Sequence, residues 1–322
     1  MTSRPRLVVT LGDPRGIGPE TLAGALATPL DAGITAVGPD DLVAAIPAER
    51  RVGIGAWEWG LGADGRRGLA AARAQSAPDT ATLACLAGRL AGRAIEAAAG
   101  LIERGHADAL VTAPVHKEAL HLAGYRYPGV TEFLAHLTHD ADVAMMLATG
   151  PLRVVLVTTH IALRDVPAQV TTAAVVRVGR IAQRALTDWW GIAHPRLAVC
   201  ALNPHAGEGG LFGDEDGRVL EPAARSLGAA GPLSADTVFV RALRGEFDAV
   251  ITPYHDVGMT AIKVAGFGKG VNVTLGLPFP RTSPDHGTAF DIAGRGVADP
   301  GSTRVALELA AALARRRAVS AA

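Results

Sequence analysis

Short apolar runs rich in β-branched residues alternate along the chain with longer segments in which Ala and Leu recur at helical spacing. The runs fall at Leu7–Leu11, Ala109–Thr112, Arg153–Thr158, Arg196–Ala201, Ala249–Ile251 and Val271–Leu275. They have strand length and few interrupting polar residues, the pattern of strands buried on both faces. Ala81–Arg104 and Thr172–Trp189 carry the helical pattern. A last helix is predicted over Ser302–Arg317, with an apolar stripe at Val305, Leu309 and Leu313. Its closing arginines, Arg315–Arg317, suit the end of a helix, where the dipole favours cations. The alternation predicts an α/β fold with mostly parallel sheets and helices on both faces. No internal repeat is evident from the residue pattern.

At 322 residues the chain exceeds what one layered domain usually holds, which predicts two lobes. Loop signals cluster near Gly129 and Gly276, so one lobe is expected to comprise residues 1–128 plus 276–322 and the other residues 129–275. Arg51 to Ala77, rich in Gly and Ala and containing Trp57 and Trp59, is either mobile or peripheral on this evidence.

With 49% hydrophobic and 19% charged residues the chain is globular. The formal net charge of zero and the 4% aromatic content give no sign of a nucleic-acid groove or a membrane-seeking surface. No apolar run approaches the roughly 18 residues of a membrane span, and the amino terminus lacks the pattern of a signal peptide. Cys85 and Cys200 sit in apolar stretches and read as small buried residues. A cytoplasmic location is expected.

Polar residues concentrate where the strands end. In open α/β sheets ligands bind beyond the carboxyl ends of strands. Leu7–Leu11 runs into Gly12-Asp13-Pro14-Arg15-Gly16, and Ala109–Thr112 into Ala113-Pro114-Val115-His116-Lys117. Arg153–Thr158 ends in Thr159-His160, Arg196–Ala201 in Asn203-Pro204-His205, and Ala249–Ile251 in Thr252-Pro253-Tyr254-His255. A lone histidine is more often structural than functional. Three at equivalent strand ends, His160, His205 and His255, make a shared metal site a matching alternative.

Lys263, Lys269, Asn272 and Arg281 are spaced through a glycine-rich loop and a strand. They read either as surface charge or as partners for phosphate and carboxylate. Gly12–Glu20 follows a strand, but its spacing is wrong for the Gly-x-Gly-x-x-Gly dinucleotide fingerprint. His286, in a turn before a helix, is a candidate cofactor contact.

Taken together, Gly12–Glu20, Thr159-His160, Asn203–Glu208, Ala235-Asp236-Thr237, Tyr254-His255-Asp256 and Gly270–His286 resemble the 4-hydroxythreonine-4-phosphate dehydrogenase family. The resemblance runs from Gly12 to Gly296. It implies an isocitrate/isopropylmalate-dehydrogenase-like fold and a homodimer with the active site at the subunit interface. The discontinuous lobe would bind NAD or NADP, and the 129–275 lobe would bind metal and substrate and dimerise. His160, His205 and His255 match ligands of a divalent metal (zinc, magnesium or cobalt). Thr131, Lys263, Asn272 and Arg281 match substrate-binding residues, and Asp236 lies in a family motif near the substrate. Asp236 and Lys117 are the candidate proton relays. Gly12, Asp13 and His286 are the candidate cofactor contacts.

Two positions depart from the family pattern. Val130 stands where a substrate-contacting histidine is usual, and Val257 where Gln is usual. The expected reaction is oxidation of the secondary alcohol of 4-(phosphooxy)-threonine, followed by decarboxylation to an amino-ketone phosphate. Threonate or erythronate 4-phosphate is the alternative substrate class, and a cis-dihydrodiol a more distant one. Outside dehydrogenases, a metal-dependent hydrolase or lyase, or a binding protein without turnover, would use the same pocket.

Overall fold

The computed structural model describes residues 4–57, 79–266 and 268–320. The chain runs β1 (Arg6–Thr10), α1 (Gly18–Leu26), β2 (Gly33–Gly38), α2 (Asp40–Val43), β3 (Arg50–Gly53), α3 (Thr80–Glu103), β4 (Ala109–Thr112), α4 (Lys117–Leu122) and α5 (Val130–Leu137). It continues with β5 (Ala144–Thr149), β6 (Leu152–Leu156), α6 (Val166–Gln169), α7 (Thr172–Asp188), β7 (Leu197–Cys200), α8 (Glu221–Leu227), β8 (Ala230–Leu233), α9 (Ala235–Leu243), β9 (Ala249–Thr252), α10 (His255–Gly266) and β10 (Val271–Leu275). It closes with β11 (Arg281–Pro284) and α11 (Gly301–Ser320). Most of Arg51 to Ala77 lies outside the described residues, although Trp57 is buried at 2% exposure.

Two compact units result. The first is Met1–Ala141 with Leu277–Val319, and the second is built on Asp142–Gly276. The first crossing therefore falls between Ala141 and Asp142 and not near Gly129, because α5 packs on α3 within the first unit. In that unit the strand order is β3-β2-β1-β4-β11, with every recorded pairing parallel. In the second it is β10-β5-β6-β9-β7-β8, parallel from β6 to β8 and antiparallel where β5 meets β6 and β10.

The central strands are buried along their length, as their unbroken apolar sequences require. In the second unit Leu152, Val154, Leu156, Ala198, Cys200 and Val250 form one core with Phe247 and Ile262. In α11 the buried face runs through Ala306, Leu307, Ala310, Ala311, Leu313 and Ala314, so of the predicted stripe Leu313 is fully buried. Val305 and Leu309 are half-buried. Alanine lets the helix approach β11 so closely that the Thr282 hydroxyl donates to the Ala306 carbonyl at 2.8 Å.

The two units do contain a repeat. In the first, the Asp108 carboxylate accepts from Arg6 N at 2.8 Å and Arg6 Nε at 3.2 Å, while the guanidinium also donates to the Gly105 carbonyl. In the second, Asp248 accepts from Arg196 N at 2.8 Å and Nε at 3.2 Å, while that guanidinium donates to the Gly245 carbonyl. Asp108 N and Asp248 N each return a bond to the arginine carbonyl at 2.7 Å. Arg6-Leu7 and Asp13-Pro14-Arg15 thus correspond to Arg196-Leu197 and Asn203-Pro204-His205. Arg104-Gly105 through Thr112 corresponds to Arg244-Gly245 through Thr252. Five of the nine residues of Arg104–Thr112 recur in Arg244–Thr252, but the paired residues are 102 apart in one unit and 52 in the other. That difference hides the repeat from inspection of the sequence.

Candidate active site

The second unit carries His160, His205, His255, Asp236, Lys263 and Asn272. β6, β9 and β7 are adjacent and parallel, so their following loops leave the sheet at the same edge. His160 and His255 come together there, with ring centroids 5.3 Å apart and planes inclined at 45°. His255 Nδ1 lies 2.6 Å from Asp256 Oδ1. A carboxylate on Nδ1 fixes that proton and leaves Nε2 as a lone-pair donor, the usual support of a metal-binding imidazole. Asp256 is the partner that the sequence reading missed; its adjacency to His255 was the available signal.

His205 does not join the pair within the chain. Among the described residues no group of three or more His, Cys, Asp or Glu side chains is close enough to hold one metal ion. His205 is exposed on the left-handed turn that follows Asn203, and with Glu208 and Gly209 it lines an open depression.

Lys263 lies two turns along α10 from His255, half-buried. Asn272 stands on β10 opposite Leu147, and its Oδ1 is buried without a hydrogen-bond partner. Such an orphaned oxygen points to a ligand or an ordered water. Asp236 is exposed in the first turn of α9, where any carboxylate is stabilised by the helix dipole. It also lines a cavity of about 490 Å³ with Phe239, Tyr254, Asp256, Val257 and Val264. Burial, then Cys200 and Asp256, raise the Tyr254 phenol above its ordinary pKa. Burial, reinforced by Asp216, pushes the Cys200 thiol up to about 12, so it stays a protonated, inert core group, as its apolar context suggested.

The first unit carries Gly12, Asp13, Lys117, Thr131, Arg281 and His286. Arg281 is 4% exposed. Its Nε and Nη2 reach the Thr112 hydroxyl at 3.1 and 2.5 Å. Burial lowers its pKa to about 10, opposed by the charge of Glu132, so it remains a cation at neutral pH. Thr131 sits half-buried in the first turn of α5. Lys117 and Glu132 both approach Gly129, the residue that precedes α5: a Cβ built there would lie 3.9 Å from Lys117 Cε and 3.1 Å from Glu132 Oε2.

Gly12 has φ +75°, and a Cβ on it would lie 2.2 Å from the Pro114 carbonyl oxygen. Only glycine permits that approach. Asp13 is fully buried and pairs with Arg15 at 2.7 Å; its carboxylate shapes the turn. The loop after β11 closes on the same place. Ile17 N donates to the Thr288 carbonyl, Gly294 N to Glu20 Oε2, and Phe290 lies against both Arg15 and His116. Four buried polar atoms here lack partners: Thr10 Oγ1, Glu20 Oε1, His116 Nδ1 and His286 Nε2. By the repeat, Val115-His116 stand where His255-Asp256 stand in the second unit, and Arg15 where His205 stands.

The family model described as pyridoxal phosphate biosynthetic protein PdxA matches residues 66–310. The 4-hydroxythreonine-4-phosphate dehydrogenase of Geobacter metallireducens is 46% identical over 339 residues, covering 97% of this chain and 96% of its own. The D-threonate 4-phosphate dehydrogenase of Salmonella typhimurium is 51% identical over 233 residues, 71% of each chain. The crystal structure of 4-hydroxythreonine-4-phosphate dehydrogenase from Klebsiella pneumoniae superposes with a TM-score of 0.79 at 39% identity, covering 97% of this chain and all of that one.

Proposed function

The chain belongs to the pyridoxal phosphate biosynthetic protein PdxA family, and on that premise we propose that it is a metal-dependent, NAD(P)-linked dehydrogenase that oxidises the secondary alcohol of 4-(phosphooxy)-threonine. The observation that carries this reading is the His160–His255 pair at adjacent parallel strand ends, with Asp256 behind His255. Within it, the two units and their repeat are read as an isocitrate/isopropylmalate-dehydrogenase-like fold. The first unit is the nucleotide-binding lobe, and the second holds metal and substrate.

The donor set fits a divalent metal. Neutral imidazoles suit zinc or cobalt better than magnesium, which prefers oxygen ligands. His160 and His255 would hold it from one subunit. His205 would come from a second copy, because one chain does not assemble the three. The exposed apolar side chains Val240, Leu243 and Val264 along α9 and α10 support a homodimer. The bound cation supplies Lewis-acid polarisation of the substrate's hydroxyl and of the ketone that replaces it.

The first unit fits a dinucleotide: four unpartnered polar atoms, His286 Nε2 among them, lie where the loops after β1, β4 and β11 meet, and Gly12 allows close backbone approach there. The nicotinamide would accept the hydride. Arg281, Lys263, Asn272 and Thr131 anchor the phosphate and carboxylate, which fixes the orientation of the carbinol carbon. Lys117 or Asp236 takes the hydroxyl proton. The resulting β-keto acid loses carbon dioxide and gains a proton at the adjacent carbon, giving an amino-ketone phosphate.

Threonate 4-phosphate is the second reading. Val130 and Val257 favour it, because neither side chain can hydrogen-bond a substrate amine. No described helix is long and apolar enough to cross a membrane; with two free cysteines this supports a cytoplasmic setting.

An NADH-absorbance assay with NAD or NADP, Zn²⁺ or Co²⁺, and 4-(phosphooxy)-threonine, threonate 4-phosphate, erythronate 4-phosphate and a cis-dihydrodiol tests these readings. Metal-dependent turnover of the first compound is expected. Turnover of only a later one moves the substrate and keeps the dehydrogenase. Metal and NAD binding without turnover of any sinks the dehydrogenase reading in favour of a hydrolase, a lyase or a binding protein.

A further inference from the structure

The turn that carries His205 winds against the preference of L-residues. His205, Ala206, Gly207, Glu208 and Gly209 have φ of 52, 56, 79, 44 and 68°. Three of the five bear side chains, each with Cβ set against the following carbonyl. Such a run persists only where the surroundings over-determine it.

The bonds that hold it converge on Asp216, which is 1% exposed. Its Oδ1 accepts from Leu202 N at 2.8 Å, and its Oδ2 accepts from Asn203 N and Asn203 Nδ2, both at 3.0 Å. Asn203 Nδ2 also donates to Glu215 Oε2 at 2.8 Å. The entry to the turn is therefore clamped at backbone and side chain together. Gly207 closes the other side: a Cβ there would lie 2.8 Å from the Gly213 carbonyl oxygen. Asp216 opens a π-helical turn, Asp216–Leu220, a local widening that recurs at functional sites.

We propose that Asp216 is the positioning residue for His205: its buried carboxylate holds the left-handed turn that presents this imidazole to the metal. The inference rests on the metal reading above. Asp216 touches neither metal nor substrate in it; the carboxylate acts only through Leu202 and Asn203.

The test titrates metal-free protein with Co²⁺ and follows visible absorption, for the wild type, Asp216→Asn, Asp216→Glu and Gly207→Ala. Asp216→Asn is expected to bind Co²⁺ about 10- to 100-fold more weakly, the usual effect of removing a supporting partner, with an altered spectrum. Asp216→Glu should recover part of the affinity. Gly207→Ala strains the same turn while leaving Asp216 in place and should weaken binding similarly. A folded Asp216→Asn protein with wild-type affinity and spectrum overturns the proposal, even if its melting temperature falls. If that variant does not fold, Gly207→Ala decides on the same two readouts. Failure of the wild type to bind Co²⁺ overturns the metal reading and the positioning role together. Wild-type binding that the variants leave unaltered overturns the positioning role alone.

Discussion

Arg281 directs two guanidinium nitrogens at one neutral oxygen, the hydroxyl of Thr112. The charge of Glu132 favours this buried cation, and in the proposed reading an anionic substrate group would pair with it on binding. Arg281→Met keeps the volume without the charge and is expected to stay folded. It should lose on the order of 100-fold in kcat/KM, as loss of a charge-assisted contact worth about 2–3 kcal/mol implies. Steady-state kinetics and a thermal melt check both halves; unchanged kcat/KM removes Arg281 from the site.

His255 and Asp256 give a paired prediction. His255→Ala should abolish metal binding and turnover together. Asp256→Asn should keep the fold and weaken metal binding by about 10- to 100-fold. Calorimetric titration with Zn²⁺ reads both.

A site shared between two copies, as proposed, predicts complementation. His160→Ala and His205→Ala proteins, each inactive alone, should recover about a quarter of wild-type activity when refolded together. Half of randomly paired dimers are then mixed, and each mixed dimer has one intact site. No recovery would place all three ligands in one chain or discard the triad.

Cys200 sets an alkaline limit. Its thiol titrates near 9 when unfolded and is pushed to about 12 in the fold by burial and Asp216. The native state thus holds a proton that the unfolded chain has released. This contribution to stability is complete below pH 9 and is lost as pH rises toward 12. Cys200→Ala should flatten that part of the stability profile in denaturant titrations. In the native protein at pH 8 a thiol reagent should modify Cys85 and spare Cys200.

The proposed substrate reading can be tested at Val130. Val130→His should raise kcat/KM for 4-(phosphooxy)-threonine relative to threonate 4-phosphate by about tenfold, the scale of one added polar contact. An unchanged ratio would mean that this position does not read the substrate.

Much of the candidate site was legible because strand ends are marked by composition. Val-rich runs give way to His, Pro, Asn and Gly at the loops after β6, β7 and β9, and the parallel topology brings those loops to one edge. β2, β3, β5, β8 and β11 were not predicted. β8 contains Gly231 and Pro232, and β11 reads Arg-Thr-Ser-Pro; neither has an apolar run to find. The repeat escaped because its identities are confined to short segments at unequal spacing, and what joins them is a bonding pattern around Asp108 and Asp248 that only the fold displays.

The sequence by itself determined the α/β class, the buried central strands, the strand-end histidines and the family. Each follows from local pattern or from short motifs whose chemistry is fixed by residue type. Tertiary structure decided which histidines meet. It pairs His160 with His255 through neighbouring strands, and winds His205 away on a left-handed turn clamped by Asp216. It also buried Arg281 against Thr112, although 169 residues separate them. Such distances depend on how β4 and β11 align, a property of the packed sheet that neither segment encodes alone.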